Sequence, residues 1–361
     1  MDNQVEEHID KIVRAVNDWL RPDNTELKLA IDETVDNKLF SFEDLKHRIK
    51  SLKSTTHKKG LLKWAEQSSL KFQSLKNKKV VCLHAGNLPL VGIQDLLAVV
   101  MTGGIYLGKL SKNDPYLLPT FLKVLRNHGL LNKSLWTTRL QEFRDIHGES
   151  VLFAGSVESV DPVMNKLLKL NIIDKNTPAL MRTSHFSIAF IEDNQPKTMK
   201  DLTEAVFRYG GTGCRSVAIV VAPFHLNSQK CSFTDYVESF WLKNPQHEKP
   251  TEKLHYRFAY NKAVEIPQAW LNDFLIEENI SDPVDKFILY WVKGSEENLP
   301  EIVNEYKDGL QSVYVQPGSD INIIEGFETE LLSTAQHPPI YWKPDNIDSI
   351  EWLQKNINIE N

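Results

Sequence analysis

The sequence predicts an α/β protein: a doubly wound, mainly parallel sheet, preceded by a helical cap and followed by a second α/β block. Three observations predict it. Short β-branched apolar runs ended by glycine, such as "KKVVCLHAG" and "SVLFAG", alternate with stretches of helical period. The connections between them are short, which favours parallel strands joined by crossover helices. Ahead of them, residues 1–75 carry helical periodicity alone.

Within residues 1–75, "VEEHIDKIVRAVNDWL" repeats apolar residues at three-and-four spacing, and "SFEDLKHRIKSL" opens with a Ser-x-x-Asp that can cap its helix. This segment is expected to pack on the domain that follows, residues 76–182. There the strand "KKVVCLHAG" leads to the apolar helix "PLVGIQDLLAVVMTG" and the strand "GIYLGKL". Next come a helix opened by "NDP", a weaker strand near "KSLWTTR", the strand "SVLFAG" and the helix "DPVMNKLLKL". Residues 183–320 form a second domain: the strand "FSIAFIE", the helix "TMKDLTEAVFRYG", a cysteine-bearing loop and the strand "SVAIVVA". "FTDYVESFWLKN", "DKFILYWVKG" and "LQSVYVQPG" continue the pattern. Their aromatic residues fit either a lipid tunnel or an ordinary core. Residues 321–361, with the proline- and tryptophan-rich "AQHPPIYWKPDNIDSIEWL", form a tail that either returns to the first domain or makes oligomer contacts. There is no internal repeat.

Composition narrows the function classes. Among 361 residues the three cysteines, Cys82, Cys214 and Cys231, lack the paired spacing of a zinc site, so a reducing compartment and no structural metal are expected. The net charge is −6 with both signs mixed along the chain, which gives no broad basic face for nucleic acid or anionic lipid. The start, "MDNQVEEHIDKIVRAV", has no continuous hydrophobic run, and later apolar stretches are broken well short of a membrane span. A soluble cytoplasmic protein is the expectation.

Four short stretches carry chemistry. In "FRYGGTGCRSVAIVV", Gly210, Gly211 and Gly213 let the backbone approach a ligand, while Arg215 and nearby N–H groups would favour a thiolate at Cys214. A buried structural cysteine in a glycine turn reads equally well. A phosphate-cradling loop fits less, because such loops run from strand to helix and this one runs from helix to strand. In "LHAGNLPLVG", Asn87 stands between a strand end and a proline-started helix, either as an amide donor for a developing oxyanion or as a plain turn residue. In "GGIYLGKLSKNDP", Lys109 ends a strand, with Ser111 and Lys112 just beyond. Cations there can hold a nucleotide's ribose or phosphate, or can be solvated surface charge. In "VLFAGSVESVDPVMNKL", Phe153, Gly155 and Ser156 lead from a strand into a helix whose N-terminus can receive a pyrophosphate. The Gly-x-Gly-x-x-Gly fingerprint is absent.

In this order, over residues 78–222, the four stretches resemble the aldehyde dehydrogenase superfamily. In that family an Asn-x-Pro corner supplies an oxyanion amide, and a Gly-x-x-x-x-Lys-x-Ser strand supplies a lysine for the adenosine ribose. A Phe-x-Gly-Ser strand lies under the pyrophosphate, and a glycine-bearing cysteine loop supplies the nucleophile. The resemblance therefore implies catalytic roles for Cys214 and Asn87 and cofactor contacts from Lys109, Ser111, Lys112, Phe153, Gly155 and Ser156. It also implies a Rossmann-like nucleotide-binding domain at 76–182 and a catalytic domain at 183–320. His84 and His185 are the nearest candidates in sequence for proton handling.

Within the superfamily, "AGNLPLVG", "KLSKNDP" and "YGGTGCRS" look most like the LuxC-like acyl-CoA reductases. Two departures from the wider pattern bear on chemistry. Where hydrolytic members open the catalytic domain with a Glu-Leu-Gly-Gly, this chain reads "ALMRTSHFSIAF", with no carboxylate to activate water. A thioester on Cys214 would then persist until hydride or another thiol arrived. Three positions after the lysine, where NAD-preferring relatives often carry glutamate, stands Lys112, which points to NADPH. The expected activity is NADPH-dependent reduction of an acyl-CoA or acyl-carrier thioester to the aldehyde. A CoA-acylating dehydrogenase, an acyl-phosphate reductase and a cysteine acyltransferase without nucleotide remain alternatives. The resemblance also leaves room for a homodimer through the tail from about Gly318 and for an acyl-donating partner enzyme.

Overall fold

The computed structural model describes residues 2–183, 185–226, 232–245, 252–271, 274–278, 280, 283 and 286–357, so Cys231 lies outside the described residues. The chain divides into two compact units, Met1–Thr183 with Pro338–Asn361, and Ser184–His337.

The first unit begins with four helices, α1 (Asn3–Trp19), α2 (Thr25–Asp36), α3 (Phe42–Thr55) and α4 (Lys58–Gln67). Polar side chains start the first three: Asp2, Asn24 and Ser41 each accept a backbone N–H of the first turn. α1 buries Val5, Ile9, Ile12, Val16 and Trp19 on one stripe. The alternating part follows as β1 (Lys79–Leu83), α5 (Ile93–Met101), β2 (Ile105–Lys109), α6 (Leu117–Asn127), β3 (Leu135–Thr137), β4 (Ser150–Ala154), α7 (Val157–Lys169) and β5 (Ala179–Arg182). The strands form a five-stranded parallel sheet in the order β3-β2-β1-β4-β5. Alternation divides its side chains between two cores. Val80, Cys82, Tyr106 and Leu152 face the α1–α6 side, while Val81, Leu83, Leu107 and Phe153 face the side of Leu167 on α7. The Trp19 indole donates to Thr120 Oγ1 at 2.8 Å, which fastens α1 to α6.

The second unit contains β6 (Phe186–Phe190), α8 (Pro196–Phe207), β7 (Val217–Ala222), α9 (Ser232–Lys243), α10 (Glu252–Ala263), β8 (Gln268–Leu271) and β9 (Phe274–Glu277). It continues with β10 (Ile288–Lys293), α11 (Leu299–Glu305), β11 (Leu310–Val315), β12 (Ile323–Ile324) and β13 (Phe327–Leu331). Its strand order is β12-β13-β11-β6-β7-β10-β9-β8, parallel except for the antiparallel pairs at the two ends. The aromatic residues that could have lined a tunnel are core: Phe207 packs edge-on against Trp241 and Phe274 and beside Phe240, and Leu289, Tyr290 and Trp291 of β10 are buried.

From Pro338 the chain belongs to the first unit, where α12 (Ser349–Ile357) buries Ile350 and Leu353. The second unit runs to His337, past residue 320, because β13 pairs with β11 and cannot be separated from it. Two helix starts also differ from the sequence reading. α7 begins at Val157, ahead of Pro162, after an extended Ser156, and α5 begins at Ile93, not at Pro89. Among the described residues no helix is long and apolar enough to cross a membrane, and no cluster of His, Cys, Asp and Glu could hold a metal.

Candidate active site

In the first unit the singled-out residues gather where β1, β2 and β4 end. Parallel register aligns these ends, with Leu83 opposite both Lys109 and Phe153, so the loops after them form one rim. Asn87 is exposed on the corner between β1 and α5. That corner is held from two sides. Leu90, buried and left-handed at φ 58°, donates its N–H to the Asp114 carboxylate at 2.7 Å. Arg48 of α3 donates to the Pro89 and Leu90 carbonyls at 3.1 and 3.2 Å. Burial pushes the Asp114 carboxyl up to about 6, against the pull of the Leu90 and Leu117 N–H groups and Arg48.

Lys109 is half-buried, and desolvation, then repulsion from Lys112 and Lys166, lowers its pKa. No carboxylate lies within ion-pair distance of these three lysines among the described residues. Lys166 comes from α7, far along the sequence, and no local pattern announces it. Ser111 accepts the Asn113 N–H and lies so close to Gly86 that a Cβ there would meet its hydroxyl at 2.1 Å. Phe153 is buried beneath Gly155, where a Cβ would meet its ring at 2.6 Å. Ser156 caps α7 without a side-chain bond to the helix; instead Glu158 bonds its own N–H and the Ser156 hydroxyl, which lowers its pKa. The helix end expected to receive a pyrophosphate therefore carries a carboxylate of its own.

His84 is a buried ring, not an exposed proton carrier. Its Nε2 lies 2.6 Å from the Tyr106 hydroxyl, a Cβ on Gly92 would strike Nδ1, and burial lowers its pKa to about 4. It is neutral at neutral pH. Cys82 is likewise enclosed, and burial pushes its thiol well up.

In the second unit Cys214 is half-buried on the loop that enters β7, and His185 is half-buried just before the neighbouring strand β6. The left-handed turn ahead of the cysteine is made by Tyr209, Gly210 and Gly211, not by Gly213. At Gly211, with φ 70°, a Cβ would also come 2.9 Å from the Val206 carbonyl, so glycine is required there. The chain around the thiol is tied down on both sides: Ser187 of β6 donates its hydroxyl to the Cys214 carbonyl at 3.0 Å, and Ser216 N–H closes on the Gly213 carbonyl. A register shift between Ser187 and Ile188 places a bulge beside the loop. Arg215 is buried and engaged with Glu330, so it is not a loose cation beside the thiol.

Solved structures of this shape are aldehyde dehydrogenases. The chain aligns with Pseudomonas-type P. syringae AldA indole-3-acetaldehyde dehydrogenase, solved with NAD+ and IAA, at TM-score 0.63 and 12% identity, over 88% of this chain and 72% of that one. It aligns with aldehyde dehydrogenase 21 of Physcomitrella patens at TM-score 0.62 and 10% identity, over 98% and 84% of the two chains. Bacillus cereus aldehyde dehydrogenase gives TM-score 0.62 at 12% identity, over 89% and 73%. The fold is thus aldehyde-dehydrogenase-like, a parallel-sheet Rossmann-like unit and a mixed-sheet unit. No protein-family model and no curated protein matches the sequence.

Proposed function

We propose that this protein reduces acyl thioesters, acyl-CoA or acyl-carrier, to aldehydes with NADPH, through an acyl-enzyme on Cys214. The observation that carries the reading is a nucleophile without a hydrolytic base. Cys214 sits on a glycine-built turn beside β6, and the stretch leading into β6, residues 179–185, holds no Asp or Glu. An acyl-enzyme there has no carboxylate from that stretch to activate water.

In this reading the Cys214 thiolate adds to the thioester carbon, and the tetrahedral species collapses by expelling the CoA thiolate, which takes up a proton. The Asn87 amide and the Cys214 N–H are the donors assigned to the oxyanion; removing the Asn87 amide by Asn87→Ala should cost about a hundredfold or more in turnover. A bound nicotinamide nucleotide supplies the hydride that converts the acyl-enzyme to aldehyde and returns the cysteine thiolate. The balance is acyl-CoA, NADPH and one proton to aldehyde, CoA and NADP+. The residues present fit such a nucleotide: Lys109, Lys112 and Lys166 offer positive charge without a carboxylate to neutralise it, and Gly155 leaves the rim after β4 clear of a Cβ. Lys112 makes a 2′-phosphate favourable where a carboxylate would repel it.

The test is NADPH consumption with acyl-CoAs from short to long chain, alongside Cys214→Ser. Consumption with a chain-length optimum and a silent variant supports the reading. Undiminished reduction by Cys214→Ser overturns it, and acylation of Cys214 without NADPH consumption favours an acyltransferase.

A further inference from the structure

Arg215 follows the cysteine directly, and its charge invites the view that it keeps the thiol ionised. The structure shows its donors committed elsewhere. Nη2 and Nη1 meet the two Glu330 carboxylate oxygens at 2.7 and 3.1 Å, Nε donates to the Ala335 carbonyl at 2.7 Å, and Nη2 also reaches the Thr334 carbonyl at 3.2 Å. Glu330 lies on β13 and also accepts the Ser312 hydroxyl of β11 at 2.8 Å. One residue on, Ser216 Oγ receives Gln336 Nε2 at 3.4 Å, and the same amide donates to the Ala205 carbonyl of α8 at 3.0 Å. On the other side, Ser187 holds the Cys214 carbonyl.

Three consecutive residues of the loop are thus bonded to β6, to β13 and to the turn 332–336. A guanidinium paired in parallel with a carboxylate acts on a third group as a short dipole and not as a full charge, and carbonyl oxygens on its other donors diminish its field further. Its planar fork, by contrast, fixes geometry: four acceptors on two elements define where the main chain at 215 must run. We propose that Arg215 is a positioning residue, which with Glu330 and the 334–335 carbonyls anchors the loop that presents the Cys214 thiol and leaves its ionisation little changed. This rests on the reading of Cys214 as the nucleophile. It also gives residues 327–337 a task, since β13 and the turn after it are the anchor.

The experiment needs no substrate. Alkylation of Cys214 by iodoacetamide, followed by peptide mass spectrometry, is measured against pH in the full chain. The midpoint reports the thiol's ionisation, and the high-pH plateau reports how the ionised thiol is presented. The chains compared are wild type, Arg215→Lys, and the double variant Arg215→Met with Glu330→Gln. The proposal expects the double variant to keep the wild-type midpoint with a changed plateau. It expects Arg215→Lys, which keeps the charge and loses the fork, to change the plateau as well. A raised midpoint in the double variant, or a wild-type plateau in Arg215→Lys, overturns it. Arg215→Lys keeps the question decidable if the double variant does not fold. Acylation of Cys214 by an acyl-CoA, measured on the same chains, should fall about tenfold or more in the variants, as expected for a misplaced nucleophile. If no chain is acylated while the alkylation pattern holds, the thioester reading fails and the anchoring role stands.

Discussion

At the residue scale, the most direct consequence concerns Glu158. A carboxylate bonded to the first turn of α7 occupies the positive end of the helix dipole, the place where an anionic nucleotide would bind. Glu158→Gln should therefore tighten NADPH binding about two- to fivefold, the range that a helix-terminal charge is worth. Titrating NADPH fluorescence checks this, and weaker binding by the variant would show that the carboxylate assists the nucleotide. Lys112→Glu should act in the other sense and shift the NADPH-to-NADH preference by about tenfold toward NADH, as reversing one charge near a phosphate implies. An unchanged ratio of kcat/KM values for the two nucleotides would remove Lys112 from the 2′-phosphate. Lys109 and Lys112 are legible in the sequence because one strand end carries both. Lys166 and Glu158 are not, because a helix brings one to the cluster and a local bond turns the other inward.

At the scale of elements, the corner between β1 and α5 is where the sequence reading and the structure part. A proline after Asn-Leu reads as a helix start, yet the helix waits until Ile93, because Asp114 and Arg48 hold Leu90 and Pro89 in a turn. Neither partner is near in sequence, so the pattern alone could not reveal them. Asp114 has a folded pKa near 6, above the ordinary value of 3.8, so its protonated form is the one that folding favours. The associated stability is fully present below about pH 4 and is lost as pH rises through about 6. Taken over that interval it amounts to about 3 kcal/mol. Asp114→Asn keeps an acceptor for the Leu90 N–H and removes the buried charge, so it should flatten this fall in a series of urea melts between pH 4 and 8. Asp114→Ala leaves the N–H unpaired and should cost about 1–3 kcal/mol across the range. If wild type shows no loss of stability between pH 4 and 7, the carboxyl is not titrating as its burial implies.

At the scale of the whole molecule, the α/β alternation was readable because buried parallel strands leave short apolar runs bounded by glycine and charge. β5, the edge strands β8, β12 and β13, and α12 were not. They are brief or mixed in polarity, and their place is set by partners distant in the chain. α12 shows what such partners do. Although it follows the second unit, its segment completes the first. The Trp64 indole donates to Asp348 at 2.9 Å, and the Arg182 guanidinium joins Asp95 and Ser349 in one buried group. Gln94 donates to the Ile340 and Trp342 carbonyls. Ile350, Leu353 and Ile357 are buried with α4 and α5 side chains in the same core. Three large aliphatic side chains contribute about 5–9 kcal/mol by burial, as an upper figure. A domain's whole stability is of that order. A chain ended after His337 should therefore lose the cooperative melting of its first unit while keeping every residue of β1–β5. Trp64, buried against Asp348 in the full chain, reports this directly: its emission should move to the red as the indole meets water. Supplying residues 338–361 as a separate peptide should restore the blue-shifted signal. A truncated chain that melts and fluoresces like the full one would mean that α12 only rests on the first unit and that α1–α4 hold its core alone.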